Sequence, residues 1–462
     1  MKNKSRYLLA LNFCAMFMLT LNSCRKFIEI PPPANSIVTD QIFADSANAT
    51  AAINGIYINM MNAAGTTGIA NSLVNTTSAL SADEMGLTTN LVASQELLTN
   101  VINPTNSTVT TLWNSAYTFI YQANACIEGV DNSTTLGITV GNRITGEAKF
   151  IRAFLNFYMV NLYGAVPLVL TTDYKINGSL PRVSVEVIYK QIDNDLKDAQ
   201  ALLANDTEPY NKLRVNRFAV AAFMARVQLY EQQWAAAEAS ATMVINASYK
   251  IEPTLNNVFL VGNQEEIWQM SPPAPGDETT EGQLFIPSSA TSVPAYIITT
   301  TLLNAFEAND LRKTQWITSA TIGTNKYFYP YKYKLRRDNL TVPKEGYSML
   351  RLAEQYLIRA EARAQQNNLS GAVSDINVIR KRAGLPNIAV SNQANVLTAI
   401  QHERQTELFC EWGHRWLDLK RTKTINTVLT TNKPGWKPAA SLFPVPYTQL
   451  QLNPFLNQNP GY

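Results

Sequence analysis

Three glutamates near the end of the chain are spaced so that they could carry out acid–base chemistry. Glu403 and Glu407 lie four residues apart, which places both on one face of a helix, and Glu411 continues the row. Two carboxyl groups that face one cavity can transfer protons, as in the hydrolysis of a glycosidic bond. One interpretation of this row is therefore a catalytic carboxylate cluster.

Basic and aromatic residues around the row favour a structural role instead. Four cations are close enough in sequence to neutralise the glutamates, namely Arg404, Arg415, Lys420 and Arg421. Trp412 and Trp416 offer flat faces on which a guanidinium group can stack. We therefore expect a helix that ion pairs and aromatic packing hold against its neighbours, and not an enzyme.

Other residues that carry chemistry are scarce. The chain has two histidines, His402 and His414, and no Cys/His cluster with metal-ligand spacing, so we expect neither a metal nor a cofactor. It contains no Gly-x-Ser-x-Gly motif and no glycine-rich phosphate loop. Cys126 and Cys410 could form a disulfide outside the cytoplasm, but nothing in the sequence brings them together. Two buried free thiols are the favoured interpretation.

Cys24 follows a short apolar leader. Three basic residues near the start precede an apolar stretch from Tyr7 to Leu21, which is too short to span a membrane and is typical of an export signal. A cysteine directly after such a leader resembles the bacterial lipoprotein cleavage site, so we expect residues 1–23 to be removed and Cys24 to carry lipid. An ordinary signal peptide with a coincidental cysteine is the alternative. Either way, we expect the protein to act outside the cytoplasm.

The charge balance argues against nucleic acid as a partner. The leader holds three of the 38 basic residues and none of the 35 acidic ones, so the remaining chain has equal numbers of each. Binding to phosphate needs a surplus or a patch of basic residues. The same balance indicates that lipid, and not a polybasic surface, would hold the protein at a membrane.

Helical periodicity dominates the chain up to about residue 254. It predicts helices at about 45–61, 111–130, 146–164, 184–204 and 215–247. We assign three aromatic residues on these helices to the core, namely Trp113, Tyr117 and Trp234. Two segments lack this helical periodicity. Residues 62–110 are rich in Asn, Thr, Ser and Gly, which predicts surface or binding loops, and residues 255–348 predict an irregular insertion with short strands.

A weak internal repeat is present. Small and apolar residues recur in the same order at a constant offset, namely Ala225, Trp234, Ala237, Ala241 and Val244 and then Ala360, Leu369, Ala372, Ile376 and Ile379. Each set predicts a helix, a short polar turn and a second helix. Small residues let two antiparallel helices approach closely, as in a tetratricopeptide-type hairpin.

Several motifs together resemble the SusD/RagB family of nutrient-binding lipoproteins of the Bacteroidetes outer membrane. The most specific is the C-terminal run from His402 to Arg421. The other matching stretches are Lys26–Ile28 with the following prolines, Gly146–Ala153, Leu350–Glu354 through Ile379–Leu385, Phe443–Pro446, Asn453–Pro454 and Gln458–Tyr462. They span most of the chain in the order that the family has.

The resemblance implies a mainly α fold, in which tetratricopeptide-like helical hairpins form an α/α superhelix with irregular loop and short-strand insertions. It implies a surface-exposed lipoprotein that captures an oligosaccharide and delivers it to a SusC-type TonB-dependent outer-membrane transporter. A peptide ligand, as in RagB-like members, is the alternative. A surface glycoside hydrolase and a purely structural adaptor are further possibilities.

The resemblance also suggests a domain division. It implies a signal peptide at 1–23 and a single domain at 24–462, which comprises a tether at 24–40, an N-terminal helical part at 41–254 with a variable loop at 62–110, the insertion at 255–348 and a C-terminal helical part at 349–462.

Sugar binding needs flat aromatic faces and polar groups that pair with hydroxyls, and the chain has 20 Tyr and 7 Trp. From the irregular segments we predict five ligand contacts, namely Asp83, Glu84, Tyr296, Trp316 and Tyr329.

Overall fold

Helices form most of the protein in the computed structural model, which describes residues 42–61, 68–206, 212–272, 276–337, 342 and 344–462. The expected signal peptide, Cys24 and the expected tether lie outside these residues. The first helices are α1 Ser46–Met61, α2 Val74–Ser81, α3 Val92–Thr99, α4 Ser107–Asn132, α5 Ile138–Tyr163, α6 Tyr174–Asn177, α7 Val185–Leu202, α8 Arg217–Tyr230 and α9 Trp234–Ile245. The later helices are α10 Thr280–Phe285, α11 Thr300–Ala305, α12 Leu311–Gln315, α13 Leu352–Gln365, α14 Leu369–Arg382, α15 Gln393–Glu407, α16 His414–Arg421, α17 Ile425–Asn432 and α18 Tyr447–Leu452.

The strands of the described residues are short and pair in twos. They are β1 Met85–Leu87, β2 Val166–Pro167, β3 Arg182–Val183, β4 Glu266–Met270, β5 Tyr296–Ile298, β6 Ile317–Ile322, β7 Asn325–Pro330 and β8 Tyr347–Arg351. The antiparallel pairs are β1 with β5, β2 with β3, β4 with β8 and β6 with β7. The β6–β7 pair is a local hairpin, whereas β1–β5 and β4–β8 join segments that are far apart in sequence.

The two predicted helical hairpins are present as α8–α9 and α13–α14. Their turns contain Gln232 and Asn367, which both adopt a left-handed conformation with φ of 59° and 63° and stand at the offset of the repeat. The first hairpin packs on the second, because Ala237 and Ala241 of α9 share one buried cluster with Ile358 and Ala362 of α13. The mainly α fold with hairpin units is therefore confirmed.

Helix α5 is the centre of the N-terminal part. Its residues from Phe150 to Tyr158 are buried on every side, since it lies between α4 and α7 and contacts α8. Phe150 and Phe154 both pack edge-on against Trp268 of β4, at centroid distances of 5.2 and 5.4 Å. The helix ends where the sequence predicts, with Gly164 at φ 76°.

The prediction for residues 62–110 is wrong in part. Helix α2 is buried along its whole length, although its sequence, VNTTSALS, is polar and lacks a helical hydrophobic period. Several of its polar side chains have hydrogen-bond partners inside the protein. Thr77 donates a hydrogen bond to the carbonyl oxygen of Leu73, and Asn75 Nδ2 donates to Glu281 Oε1 and to the carbonyl oxygen of Cys410, both at 2.6 Å. Burial here depends on distant partners and not on local periodicity.

The predictions for the two cysteines and for three core aromatic residues are confirmed. Cys126 and Cys410 are both free and buried, as expected. Trp113 is buried, and Tyr117 and Trp234 are half-buried but pack against the hydrophobic clusters, so the core assignment is confirmed. None of the helices in the described residues has the length and apolar character needed to cross a membrane.

Candidate functional site

Glu407 lies at the centre of a buried network of charges. Its carboxylate accepts hydrogen bonds from Arg351 Nη1 at 2.5 Å and from Arg312 Nη1 at 3.1 Å, and it also contacts Arg382. Arg351 reaches it from the end of β8, Arg312 from α12 and Arg382 from the end of α14. Three elements that are distant in sequence therefore meet at one carboxylate.

The other two glutamates of the row belong to the same network. Glu403 pairs with Arg312 at 2.6 Å and with Arg380 at 3.3 Å. Glu411 accepts from Arg351 Nε at 2.8 Å and also contacts Lys332. Two more carboxylates belong to the network. Glu265, directly before β4, pairs with Arg351 at 3.0 Å and with Arg382 at 2.8 Å, and Asp310 pairs with Arg312 at 2.8 Å.

Trp316 lies among the cations of this network. The guanidinium carbons of Arg382 and Arg351 are 5.4 and 5.8 Å from its ring, and Lys332 Nζ is 4.8 Å from it. Its indole N–H donates to the carbonyl oxygen of Leu255, and the side chain is fully buried. The aromatic face thus stabilises buried cations.

The structural interpretation of the glutamate row is supported, but the predicted partners are wrong. The four nearby cations bind elsewhere: Arg404 to Asp418, Arg415 to Asp83, Arg421 to Asp418 and Glu361, and Lys420 to the carbonyl oxygen of Asn161. The predicted guanidinium stacking takes place on Trp316, whereas Trp412 and Trp416 pack against other aromatic rings.

Backbone geometry explains the change of partners. Helix α15 ends at Glu407, so Glu411 does not continue its face. The chain then reverses through Cys410, Trp412 and Gly413, whose φ angles of 50°, 47° and 68° are all left-handed. This turn directs Glu411 back toward Arg351 and Lys332 and carries the cations of α16 away from the row.

The carboxyl groups of Glu407 and Glu411 are held in the ionised state. Burial alone would raise the pKa of Glu407, but Arg382, Arg351 and Arg312 together hold that pKa well below its usual range. Glu411 behaves in the same way, because Arg351 and Lys332 outweigh the effect of burial and lower its pKa. A carboxylate that stays ionised and is closed off from solvent is a poor proton donor. The network therefore joins structural elements.

Asp83 and Glu84 are buried at the start of β1. Asp83 forms a two-point ion pair with Arg415, with both contacts at 2.8 Å, and accepts a hydrogen bond from Asn432 at 3.2 Å. Glu84 accepts the backbone N–H of Cys410 at 3.2 Å. Burial, assisted by the charge of Asp83, raises the pKa of Glu84 to about 8, so its carboxyl group is mostly protonated at pH 7. Both side chains point into the protein.

The structure brings the five predicted ligand residues into one region. Asp83 and Glu84 lead into β1, β1 pairs with β5, β5 contacts β7, and Trp316 directly precedes β6. Of the five, Tyr296 is the one that is not buried; it packs edge-on against Phe285 at 5.6 Å. Tyr329 is 8% exposed and lies edge-on to Tyr331. A role in ligand contact stays a prediction for all five.

A cleft of about 380 Å³, which the sequence did not predict, lies between α4, the segment from β2 to α6, and α18. Tyr117 and Tyr121 of α4 contribute to one wall, and Tyr174 and Asn177 of α6 lie across from α18 residues such as Gln449. The aromatic spacing of four along α4 was visible in the sequence, but the second wall comes from segments more than forty residues away.

Comparison with known proteins identifies the family. Residues 26–229 match the family model described as "Starch-binding associating with outer membrane", and residues 191–462 match that of the SusD family. The chain is 23% identical to SusD-like protein P38 of Formosa agariphila, over 96% of each chain.

Solved structures share the fold. A SusD superfamily protein of Bacteroides vulgatus superposes with a TM-score of 0.79 at 19% identity, over 91% of this chain and all of that one. A structure described as a laminarin-binding SusD-like protein gives a TM-score of 0.77 at 23% identity, over 90% of this chain and 99% of that one. The chain therefore belongs to the SusD family, a carbohydrate-binding family associated with the outer membrane.

Proposed function

We propose that this protein is a surface-exposed lipoprotein that captures an oligosaccharide and delivers it to a SusC-type TonB-dependent transporter in the outer membrane. The observation that carries the proposal is the pair of overlapping family matches, which together extend from residue 26 to residue 462 and include starch binding with outer-membrane association. The laminarin-binding relative of the same fold supports a glycan ligand. Binding without bond cleavage is part of the proposal.

We place the principal ligand surface around β1, β5 and β7. Tyr296 lies opposite Leu87 in the β1–β5 pair, and the neighbouring polar residues Thr88 and Asn90 are exposed. An aromatic face beside hydroxyl and amide groups suits a sugar ring. Tyr296 is the most accessible of the five predicted contacts, and Asp83, Glu84, Trp316 and Tyr329 are buried in the elements around it.

Calorimetric titration of the purified protein tests the ligand class. Laminarin-derived and starch-derived oligosaccharides are the probes, and unstructured peptides of similar size are the comparison. We expect saturable binding of at least one glycan without release of shorter sugars, and weaker binding by the Tyr296→Ala variant. Binding of peptides alone would favour a RagB-like function. Release of shorter sugars would show a glycoside hydrolase, and absence of any ligand would favour a structural adaptor.

Fractionation of cells tests the anchor and the partner. We propose that Cys24 carries the lipid, so the Cys24→Ala protein should leave the outer-membrane fraction and support slower glycan uptake. The wild-type protein should co-purify from detergent extracts with a large TonB-dependent outer-membrane protein. If Cys24→Ala stays at the cell surface with normal uptake, the lipid-anchor proposal is wrong.

A further inference from the structure

The cleft beside α4 has a row of aromatic side chains along one wall. Trp113, Tyr117 and Tyr121 follow each other at intervals of four residues, so they lie on one face of the helix. The ring of Tyr117 is 5.1 Å from that of Trp113, and its hydroxyl donates to the carbonyl oxygen of Pro167 at 2.8 Å. These contacts fix the inner two rings, while Tyr121 is 50% exposed.

Tyr174 adds a second accessible ring. It stands at the first position of α6 and is 75% exposed. The short α6 is held in place by a cap, since the Asp173 carboxylate accepts the N–H of Lys175 at 2.8 Å. Two exposed tyrosine rings are thus mounted on fixed elements of one cleft, which is the arrangement needed for stacking on sugar rings.

Amide side chains supply the polar groups. Asn177 Nδ2 donates to the carbonyl oxygen of Thr171 at 2.7 Å, which orients the side chain, and its Oδ1 is buried and accepts no hydrogen bond from the described residues. Asn453 and Gln449 are held in a similar way, by hydrogen bonds to the carbonyl oxygen of Leu180 and to Asn114 Oδ1. A buried acceptor without a partner is costly, so a small rotation that brings Asn177 Oδ1 to a ligand hydroxyl would relieve that cost.

The cleft is uncharged. All of the described residues that line it are aromatic, aliphatic, hydroxyl-bearing, amide-bearing or glycine. An anionic sugar or a phosphate would find no cation in this lining, whereas a neutral ligand loses no ionic hydration on entering. A peptide bound by strand addition needs a strand edge with several free backbone groups, but helices α4 and α18 form two of the walls and β2 is only two residues long.

We propose that this cleft binds a segment of a neutral oligosaccharide, with Tyr121 and Tyr174 stacking on its rings and Asn177 Oδ1 accepting a hydroxyl. It shares no lining residue with the surface around β1, β5 and β7, so it is a second carbohydrate subsite on the same molecule. The inference rests on the proposed function only in that the ligand is a carbohydrate. Two subsites would let one chain hold a long glycan at two points.

The test uses neutral hexasaccharides from starch and from laminarin as probes in calorimetric titrations. We expect the Tyr121→Ala/Tyr174→Ala variant to lose one class of sites and the Tyr296→Ala variant to lose the other. The apparent Kd for laminarin polymer should rise about tenfold in each case. Tyr447→Ala is the matched control, because Tyr447 is 49% exposed and does not line the cleft. Tyr174→Phe keeps the aromatic ring that Tyr174→Ala removes, so this variant should retain binding.

The possible results separate the cleft inference from the proposed function. If wild-type protein binds a hexasaccharide and the cleft variant binds it with the same Kd and stoichiometry, the cleft inference is wrong and the proposed function stands. If wild-type protein binds no glycan, both fail. Preference of the cleft for a proline-rich peptide with the sequence of residues 26–40 would also overturn the inference. Thermal unfolding of every variant at the wild-type temperature excludes a loss of fold.

Discussion

Arg351 illustrates how single residues stabilise this protein. Its guanidinium donates to the carboxylates of Glu265, Glu407 and Glu411 and to the carbonyl oxygen of Glu407. Burying a charge is costly unless all of its hydrogen-bonding groups find partners. Arg351 meets this condition through carboxylates beside β4 and at the end of α15. The geometry of the charge network around Glu407 therefore depends on all of these residues.

Glu407→Gln should destabilise the protein strongly. The substitution removes the negative charge that Arg312, Arg351 and Arg382 share, so each of these buried cations loses one of its carboxylate partners. We expect a loss of about 3–5 kcal/mol in the free energy of unfolding, measured by urea denaturation. Asp193→Asn is the control, because Asp193 pairs with Lys197 at the surface and should cost about 0.5 kcal/mol or less. Equal losses in the two variants would contradict the role assigned to the network.

Glu84→Gln should change how stability depends on pH. The pKa of Glu84 is about 8 in the folded protein, against an ordinary value of 4.5. Between pH 5 and pH 8 the folded state therefore keeps a proton that the unfolded state releases, so Glu84 lowers stability as pH rises. Glutamine has no such proton. As pH rises across this window, the free energy of unfolding of the variant should increase relative to that of the wild type by up to roughly 1 kcal/mol per pH unit. Urea unfolding at four pH values measures this, and parallel curves would refute it.

The identity of the ionic partners could not be predicted from sequence. The row of glutamates correctly indicated a charge network at the end of α15, but the nearby cations were the wrong partners. The actual pairs, however, join residues such as Arg382 and Glu265, which are 117 positions apart. Local spacing identifies the charges, and only the tertiary fold decides which of them meet.

At the scale of elements, the two helical hairpins depend on small residues where their helices cross. Ala237 of α9 and Ala372 of α14 are both fully buried, and they occupy equivalent positions in the repeat. A side chain larger than alanine has no space between the helices. The hairpins were predictable from sequence because their contacts are local and recur, whereas the burial of polar α2 was not.

Ala237→Leu should therefore destabilise the protein by about 1–3 kcal/mol, because the added methyl groups overpack the contact between α9 and α13. Ala239→Leu is the matched control on the same helix, since Ala239 is exposed and leucine is a good helix former. Its effect should stay within about 0.5 kcal/mol. Thermal unfolding of both variants and of Ala372→Leu gives the comparison. A similar effect at positions 237 and 239 would contradict the proposed hairpin packing.

At the scale of the whole molecule, buried pairs connect the N-terminal and C-terminal parts. Arg226 of α8 forms a two-point ion pair with Glu354 of α13, at 2.7 Å for both contacts, and Asp83 pairs with Arg415 of α16. Strand β4 of the expected insertion pairs with β8, which leads into the C-terminal part. These connections are the reason to propose that residues 24–462 form one domain, in spite of the length of the chain.

A single domain of this kind should unfold in one cooperative transition. Separation of the N-terminal part would leave Arg226 and Asp83 buried without Glu354 and Arg415, and would expose the face of α9 that packs on α13. We expect calorimetry of the protein without its leader to show one peak whose calorimetric and van't Hoff enthalpies agree. A fragment of residues 24–254 should lack that peak and bind a dye specific for exposed apolar surface. Two separate transitions, one of them reproduced by the fragment, would show that the ion pairs join two domains that fold independently.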